Sequence, residues 1–261
     1  MNDTTKATPS NQSSEKLLTV MEALSYEDTP VRLQDLSKKL SMNASTVLRF
    51  LSTLQSKGYV QQESGNGRYF LTYKICSMAN RVIAHTSIRN ISAPYLKTIS
   101  QIFGETANLS VEQNMLVVYI AVSNGPNQML TTLQRIGNVA PMHCTGVGKL
   151  FLLNHDSEQI DQMIAAKKLT RFTNNTIMTK EMLMKELETV RRQGYAFDNE
   201  ECEIGVRCIA APIKDYTGRT VACLSVSGPT TRMTDEFIYD KLPYLLNATK
   251  EISSNLGYIP G

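Results

Sequence analysis

The chain contains 261 residues, of which 42% are hydrophobic and 20% are charged, and its formal net charge is +3. This length gives room for two domains with separate cores, and the composition is ordinary for a globular protein. No apolar run approaches the roughly 20 residues that cross a membrane, and the polar N-terminus lacks the hydrophobic segment of a signal peptide. Five cysteines without a C-x-x-C pair favour reduced thiols in a cytoplasmic protein over a disulfide framework.

The N-terminal quarter predicts a small helical domain. Residues 1–13 are polar and predict a disordered tail, and Ser14 is a candidate N-cap for a first helix. A second helix is expected over residues 33–40, where leucines recur on one face. A third is expected over residues 43–57, with Asn43 as its N-cap and Gly58 as its end.

The third helix has two contrasting faces. An apolar stripe predicts the side that packs on the core: Val47, Leu48, Leu51 and Leu54. The other side carries small hydroxyl groups, one cation and no acid: Ser45, Arg49, Ser52, Thr53 and Ser56. Short strands are expected at residues 59–62 and 68–71, around the turn 64–67, where an Asn-Gly pair favours positive φ angles. This order predicts a winged helix-turn-helix domain over residues 14–73, with residues 43–57 as its recognition helix.

The charge of this region indicates a polyanionic partner. Residues 36–104 contain nine Lys or Arg residues and one acid, Glu63, so they carry +8 and the remainder of the chain carries −5. A basic block on a helix-turn-helix is typical of a domain that binds double-stranded DNA. We expect Ser45, Thr46 and Arg49 to reach base edges in the major groove. Lys38, Lys57 and Arg68 would hold phosphates, and Asn66 would lie at the wing tip near the minor groove. The complete predicted set is Lys38, Asn43, Ser45, Thr46, Arg49, Lys57, Asn66 and Arg68.

The rest of the chain predicts a linker and a second domain. Residues 74–90 are expected to form a linker helix, either a spacer or one that pairs with its copy in a dimer. Pro94 opens a new region of predicted helices (95–103, 146–153, 156–168, 179–193, 234–257) and strands (107–111, 116–122, 129–134, 206–213, 221–227). Asp156 and Gln159 have capping-box spacing, and Thr179 and Thr234 are candidate N-caps. Hairpin strands interleaved with helices predict an α+β domain with a mainly antiparallel sheet over residues 91–261.

Three stretches of this second domain carry polar groups suited to a ligand. Residues 141–149 form a glycine-containing turn into a helix, where free backbone N–H groups and Lys149 favour an anion such as a carboxylate. A plain strand-to-helix turn is the alternative. Residues 198–208 form an acidic loop that enters an apolar strand. In residues 224–229, Ser225 and Ser227 share one strand face, where they either line a cavity or face solvent.

The order of these motifs resembles the IclR family of bacterial transcriptional regulators over nearly all of residues 14–257. The matching blocks lie in both domains, at residues 45–51, 58–60, 135–137, 143–149, 194–201, 205–213 and 224–229. The resemblance implies a C-terminal effector-binding domain with a GAF/profilin-like fold, in which helices flank the antiparallel sheet. It also implies a homodimer or a dimer of dimers. Such a protein represses or activates transcription under the control of a small organic acid.

The resemblance also implies which residues hold the effector. In that family a small carboxylate is bound by backbone amides at a helix start, which correspond to Thr145, Gly146 and Val147. The matching side chains that complete the pocket are Asp198, Cys208, Ser225 and Ser227, although spacing alone does not choose Cys208 over Cys202. Arg135-Ile-Gly and the Asp-Asn-Glu-Glu loop are most similar to regulators of sugar-acid (ketodeoxygluconate, uronate) breakdown. Glyoxylate-type or aromatic acids are the alternatives. Cys144 departs from the apolar or small residue that is common at its position.

Three other functions are compatible with individual residues. An enzyme would need a base beside a nucleophile such as Cys208 or Ser225, and the sequence places none there. A zinc site could use His143, Cys144, Asp198, Cys202 and Cys208, but their spacing matches no zinc pattern. A neutral His143 that holds a turn is the simpler interpretation of that residue. A purely architectural DNA binder would leave the second domain without a role. We therefore predict a DNA-binding regulator with no catalytic residue, cofactor or metal.

Overall fold

The computed structural model describes residues 11–85, 87–126 and 136–260. The chain divides between residues 86 and 87 into two compact units. The strand predicted at residues 129–134, the motif residue Arg135 and residues 1–10 of the predicted tail lie outside the described residues. Within the described ranges, no helix is long and apolar enough to cross a membrane.

The described part of the first unit has a helical core and a β-hairpin, followed by a further helix. Its elements are α1 Gln12–Ser25, α2 Leu33–Lys39, α3 Ala44–Ser56, β1 Val60–Gln62, β2 Tyr69–Leu71 and α4 Lys74–His85. β1 and β2 pair antiparallel. Their core combines apolar side chains from the first three helices and the hairpin: Val20, Ala23, Leu24, Leu36, Val47, Phe50, Leu51, Leu54, Val60 and Tyr69. This is the predicted winged helix-turn-helix, with the hairpin as the wing.

Two helix details of this unit differ from the prediction. The first helix begins at Gln12, before Ser14, because the side chain of Asn11 accepts hydrogen bonds from the first free amides. Residues 12 and 13, which were predicted to belong to the disordered tail, are therefore helical. On α3, Leu48 is 42% exposed and Phe50 is buried. The buried set of α3 follows the i, i+3, i+4, i+7 spacing of a helix face, which excludes Leu48.

The cap of α3 and the wing turn also differ in detail. Asn43 occupies the N-cap position, as predicted, but its side chain makes no capping hydrogen bond. In the wing turn, positive φ angles occur at Gly65 and Gly67 and not at Asn66. Glycine adopts this conformation without the steric penalty of a Cβ atom, so the two glycines, rather than the asparagine, close the turn.

The second unit is built on an antiparallel sheet with helices on both faces. Its described elements are α5 Ile88–Phe103, β3 Thr106–Gln113, β4 Leu116–Ser123, β5 Val139–Ala140, α6 Gly146–Leu152, α7 Ser157–Lys167, α8 Lys180–Gln193, β6 Ala196–Asn199, β7 Val206–Lys214, β8 Thr220–Pro229 and α9 Asp235–Asn255. The strand order is β5-β4-β3-β8-β7-β6, and each neighbouring pair is antiparallel. The predicted α+β class with an antiparallel sheet is confirmed.

Alternation along the strands divides the core of this unit into two layers. On one face, strand residues such as Leu109 and Leu224 pack with α5 and α9. On the other face, residues such as Val117 and Cys223 pack with α6, α7 and α8. Because successive strand residues point to opposite faces, Ser225, which follows Leu224, lies on the α6 side.

The start of the second unit differs from the prediction. The linker helix ends at His85 and not at residue 90, because Ser87 caps α5 by accepting a hydrogen bond from the amide of Asn90. α5 then continues through Pro94 to Phe103, so Pro94 lies inside a helix and does not open a region. The proline removes one helical hydrogen bond, and packing of the following turns on the sheet outweighs that loss.

The chemistry of three predicted helix starts is confirmed. Asp156 and Gln159 form the reciprocal bonds of a capping box at α7, and Thr179 and Thr234 accept capping bonds at α8 and α9. Each cap satisfies an amide that the helix itself cannot pair.

Candidate functional site

The exposed face of α3 separates into groups that bind their own helix and groups that project from it. Three hydroxyls donate to main-chain carbonyls of α3 at 2.8–3.0 Å: those of Ser52, Thr53 and Ser56. Ser45 and Arg49 are exposed. The guanidinium of Arg49 lies 5.5 Å from the ring centroid of Phe50. Such stacking leaves the guanidinium N–H groups free to meet an acceptor.

Two predicted DNA contacts take part in the wing's own structure. The side chain of Asn66 donates to Glu63, and its Oδ1 accepts the Arg68 amide at 3.0 Å. Nη1 of Arg68 donates to the carbonyl of Pro30 at 3.3 Å. The wing side chains are thus held in place from within the unit. The remaining predicted residues comprise the exposed Lys38, Asn43 and Lys57 and the partly buried Thr46.

The second unit contains a cavity of about 190 Å³ between the start of α6 and the sheet. All seven residues predicted for the effector pocket line it: Thr145, Gly146, Val147, Asp198, Cys208, Ser225 and Ser227. Seven further residues complete the lining: Tyr119, Asn138, Val139, Ala140, Cys202, Glu203 and Val206. The three stretches singled out in the sequence therefore meet at one place.

Strand register explains how residues far apart in sequence meet in this cavity. Asp198 on β6 pairs with Cys208 on β7, which in turn pairs with Ser227 on β8. The thiol of Cys208 donates to Oγ of Ser227 at 3.0 Å. Ser225 and Ser227 are 4% and 1% exposed, so both hydroxyls face the cavity and not solvent.

The start of α6 is held close to the sheet. Oγ1 of Thr145, the N-cap, accepts the Gly148 amide at 3.1 Å and donates to the Pro141 carbonyl at 2.7 Å. A Cβ atom on Gly148 would lie 2.3 Å from the Met142 carbonyl oxygen, which explains the glycine. The amides of the first helical turn have no intrahelical acceptor, and Gly146 and Val147 present that turn to the cavity.

Lys149 does not face the cavity, contrary to the prediction. The side chain is 1% exposed, and Nζ lies 2.6 Å from Glu201, 3.2 Å from Glu186 and 3.0 Å from the Phe197 carbonyl. These three acceptors match the three donors of an ammonium group. Lys149 therefore holds the acidic loop in place, and Glu186 and Glu201 largely neutralise its charge. It is thus poorly suited to attract an anionic ligand.

Asp198 is a buried acid on the cavity wall. Its Oδ1 accepts the amides of Glu201 at 2.8 Å and Cys202 at 3.3 Å. Burial raises the pKa of Asp198 to about 7, although these two hydrogen bonds favour the charged form and oppose the shift. The carboxyl therefore exchanges its proton near neutral pH.

Sequence reasoning missed several lining residues. Tyr119 shares the α6 face of the sheet with Val117, and alternation along β4 is a signal that could have found it. Burial raises its phenolic pKa well above the usual range. Cys202 and Glu203 belong to the acidic loop that the sequence singled out, but loop residues have no period from which to predict their direction. Asn138 has no such signal.

His143 has a structural role in this arrangement. Its Nε2 lies 3.1 Å from the Thr170 carbonyl, and burial lowers the pKa of the imidazole. This fits the neutral, turn-holding histidine considered above. Among the described residues there is no group of three or more His, Cys, Asp or Glu side chains that could hold a metal ion.

A winged helix-turn-helix unit with a basic sequence, followed along the chain by a unit whose cavity is lined in part by polar side chains, defines a DNA-binding transcriptional regulator. The model of the IclR helix-turn-helix domain matches residues 13–64. The model described as "Bacterial transcriptional regulator IclR C-terminal" matches residues 80–254. The chain belongs to the IclR family, and its predicted family membership is confirmed.

Individual relatives agree with this assignment. The chain is 33% identical over 243 residues to the HTH-type transcriptional regulator KdgR of Escherichia coli (strain K12), covering 93% of this chain and 92% of the relative. It is 32% identical over 250 residues to XynR of the same strain, with 96% and 99% covered. The crystal structure of Thermotoga maritima IclR aligns with a TM-score of 0.62 and 30% identity over 94% of this chain and 99% of that one. These relatives are named regulators and not enzymes.

Proposed function

We propose that this regulator acts in the cytoplasm and binds a small organic acid in the cavity of its second unit, and that the acid changes its affinity for an operator. The observation that carries the proposal is the convergence of Thr145, Asp198 and Ser225, from three separate stretches, on one cavity. A ligand changes DNA affinity only if it binds the DNA-competent and incompetent states unequally, typically by about 1–3 kcal/mol. The regulator then represses or activates according to the sign of that difference.

The cavity lining supports a small, polar, oxygen-rich ligand. A volume of about 190 Å³ is below the range of about 300–1,000 Å³ typical of pockets for drug-sized molecules. We assign the carboxylate of the ligand to the amides of Gly146 and Val147. Its hydroxyl or keto oxygens would meet Ser225, Ser227 and Asp198. A sugar acid of the ketodeoxygluconate or uronate type carries this combination of groups.

For the DNA complex, the projecting groups of α3 support a direct role in base recognition. Ser45, Thr46 and Arg49 would enter the major groove, where a guanidinium contacts guanine through two hydrogen bonds. Lys38 and Lys57, both exposed, would bind phosphates. A homodimer or dimer of dimers would present two recognition helices to a pseudo-palindromic operator.

A thermal-shift screen with matched variants tests the effector assignment. The panel contains glucuronate, galacturonate, 2-keto-3-deoxygluconate, glyoxylate, pyruvate and benzoate. Ligand at about 100 times its Kd stabilises the protein by about 2.7 kcal/mol, which gives a clear rise in Tm. Ser225→Ala should reduce the rise, because it removes a cavity hydroxyl. Ser92→Ala is the matched control, since Ser92 is equally buried but lies on α5 away from the cavity.

The outcomes of the screen separate the parts of the proposal. A ligand that stabilises wild type and Ser92→Ala but not Ser225→Ala supports the cavity as the effector site. Equal stabilisation of all three proteins would place the ligand elsewhere. No response to any acid would contradict the proposed effector class while leaving the DNA-binding assignment intact.

A further inference from the structure

The cavity wall is acidic, although the effector proposed for it is itself an acid. Two carboxyl side chains line the cavity, those of Asp198 and Glu203, and no Lys or Arg occurs among the described residues that line it. Glu203 is exposed, whereas Asp198 is buried, so solvent screens the charge of Asp198 poorly. An ionised Asp198 would therefore repel an organic anion that enters the same cavity.

The charged and titratable groups around Asp198 do not remove this repulsion. The acidic loop contributes Glu201, Cys202 and Glu203. The other elements contribute Lys149 on α6, Cys144 just before it, Cys208 on β7 and Tyr119 on β4. Nζ of Lys149 lies 2.6 Å from Glu201 and 3.2 Å from Glu186. Because two other carboxylates share this ammonium group, it offsets the charge of Asp198 only weakly.

A proton on Asp198 would turn this repulsion into an attraction. The amides of Glu201 and Cys202 hold Oδ1 of Asp198 in place, and burial raises the pKa of the carboxyl to about 7. A carboxylic acid has an O–H group that donates a hydrogen bond, whereas a carboxylate only accepts. Buried carboxylic acids act as such donors in other proteins.

We propose that Asp198 binds the effector as a carboxylic acid and donates a hydrogen bond to an oxygen of the ligand. This role rests on the effector function proposed above. The ligand stays an anion, because an organic acid with a pKa of about 3.5 is ionised at neutral pH. Where Asp198 is ionised in the free protein, each ligand anion therefore binds together with one proton. The buffer supplies that proton, which forms the O–H bond of Asp198.

Proton uptake makes the affinity for the effector depend on pH. Below neutral pH the free protein already carries the proton, so the affinity is at its highest. As the pH rises above 7, the proton must be taken from solvent, and the affinity falls by up to about tenfold for each pH unit. The regulator therefore responds to a given concentration of the acid more strongly at lower pH.

Isothermal titration calorimetry of the full-length protein at pH 6 and pH 8 tests the proposal, with galacturonate and 2-keto-3-deoxygluconate as probes. The Kd of wild type should be about tenfold higher at pH 8, because the protonated fraction of a carboxyl with a pKa of about 7 falls by that factor. Titrations at pH 8 in buffers of different ionisation enthalpy should show uptake of about one proton for each bound ligand.

Two variants identify the group that takes up the proton. Asp198→Asn keeps an oxygen that accepts the loop amides and gains an N–H donor for the ligand, but it carries no charge. Its Kd should be independent of pH and about tenfold lower than that of wild type at pH 8. Glu203→Gln is the matched control, since it removes a carboxylate from the same cavity wall at an exposed position. This control should keep the tenfold pH dependence.

Several results would overturn the proposal. Binding of a probe to wild type with equal Kd at both pH values and no proton uptake would show that Asp198 is not protonated on binding, while the effector function would stand. A pH dependence that persists in Asp198→Asn, or that disappears in Glu203→Gln, would assign the proton to another group. Absence of binding of both probes at both pH values would contradict the effector class and the proton uptake together. Proton uptake by wild type remains a test even if Asp198→Asn does not fold.

Discussion

Asp198→Asn should change the way in which stability depends on pH. Asp198 is 3% exposed, and burial raises its pKa from 3.8 to about 7. A carboxyl whose pKa is raised on folding loses its proton more easily in the unfolded chain. The contribution of Asp198 to the free energy of unfolding is therefore most favourable below pH 3.8 and is lost as the pH rises towards 7. This dependence is opposite to that of a salt-bridged aspartate.

The magnitude follows from the two pKa values. One pKa unit corresponds to about 1.4 kcal/mol, so the total loss on ionisation is about 4 kcal/mol. Linkage assigns about 3 kcal/mol of this loss to the range between pH 5 and pH 8. The amide of the variant keeps an oxygen that accepts the Glu201 and Cys202 amides, and it has no proton to release. Over this range, the free energy of unfolding of wild type should therefore fall by about 3 kcal/mol more than that of the variant.

Urea denaturation at pH 5 and pH 8, followed by circular dichroism, measures this difference. The first unit is identical in both proteins, so its contribution cancels when the variant is compared with wild type. Asp240→Asn is the matched control, because the Asp240 side chain is 73% exposed. Equal pH dependence in wild type and Asp198→Asn would refute the reasoning, since it would mean that folding does not perturb this carboxyl.

Three other substitutions test the remaining assignments. Arg49→Ala should weaken operator binding by about 1–3 kcal/mol and relax the preference at one base pair, measured by fluorescence anisotropy on operator variants; unchanged preference would remove Arg49 from base recognition. Ser225→Ala should weaken binding of the organic acid identified in the screen and leave operator affinity without ligand unchanged, and loss of DNA binding alone would contradict the division of roles. Lys149→Met should lower the free energy of unfolding in urea by about 3–5 kcal/mol, because it leaves the Glu201 carboxylate buried without its ion-pair partner. The double variant with Glu201→Gln should recover most of this loss. If it does not, the loss comes from packing of the Lys149 side chain and not from the ion pair.

The sequence correctly predicted the features of the fold that depend on contacts between residues close together in the chain. The capping box of Asp156 and Gln159 and the N-caps Thr179 and Thr234 are confirmed, because a cap depends on side chains within one helical turn. The end of the linker helix at His85 was not predicted, since helical spacing continues beyond it. Tertiary packing likewise carries α5 through Pro94, against the local preference of proline.

Seven of the fourteen residues that line the cavity were predicted, but its geometry was not. Asp198, Cys208 and Ser227 form a row across three strands because of the register, and register depends on pairing along whole strands. The sequence therefore identified the three stretches and, through family resemblance, half of the lining residues, but it could not show which polar side chains point away from the cavity. Lys149 is the clearest case: its partners Glu186 and Glu201 lie 37 and 52 residues further along the chain.

The ion pair between Lys149 and Glu201 is better explained by the positions that it gives to neighbouring groups than by a gain in the free energy of unfolding. Burial of an ion pair costs desolvation energy that its attraction often only offsets, so apolar residues of similar size are frequently as stabilising. Oε2 of Glu201 is buried and has no hydrogen-bond partner among the described residues, so the pair is not fully satisfied. An apolar pair, however, has no directional bonds and would not fix the loop. The bond from Lys149 sets the position of Glu201, and the Glu201 and Cys202 amides in turn hold the carboxylate of Asp198. The ion pair thus orients Asp198, an acid of the cavity wall that changes its charge near neutral pH.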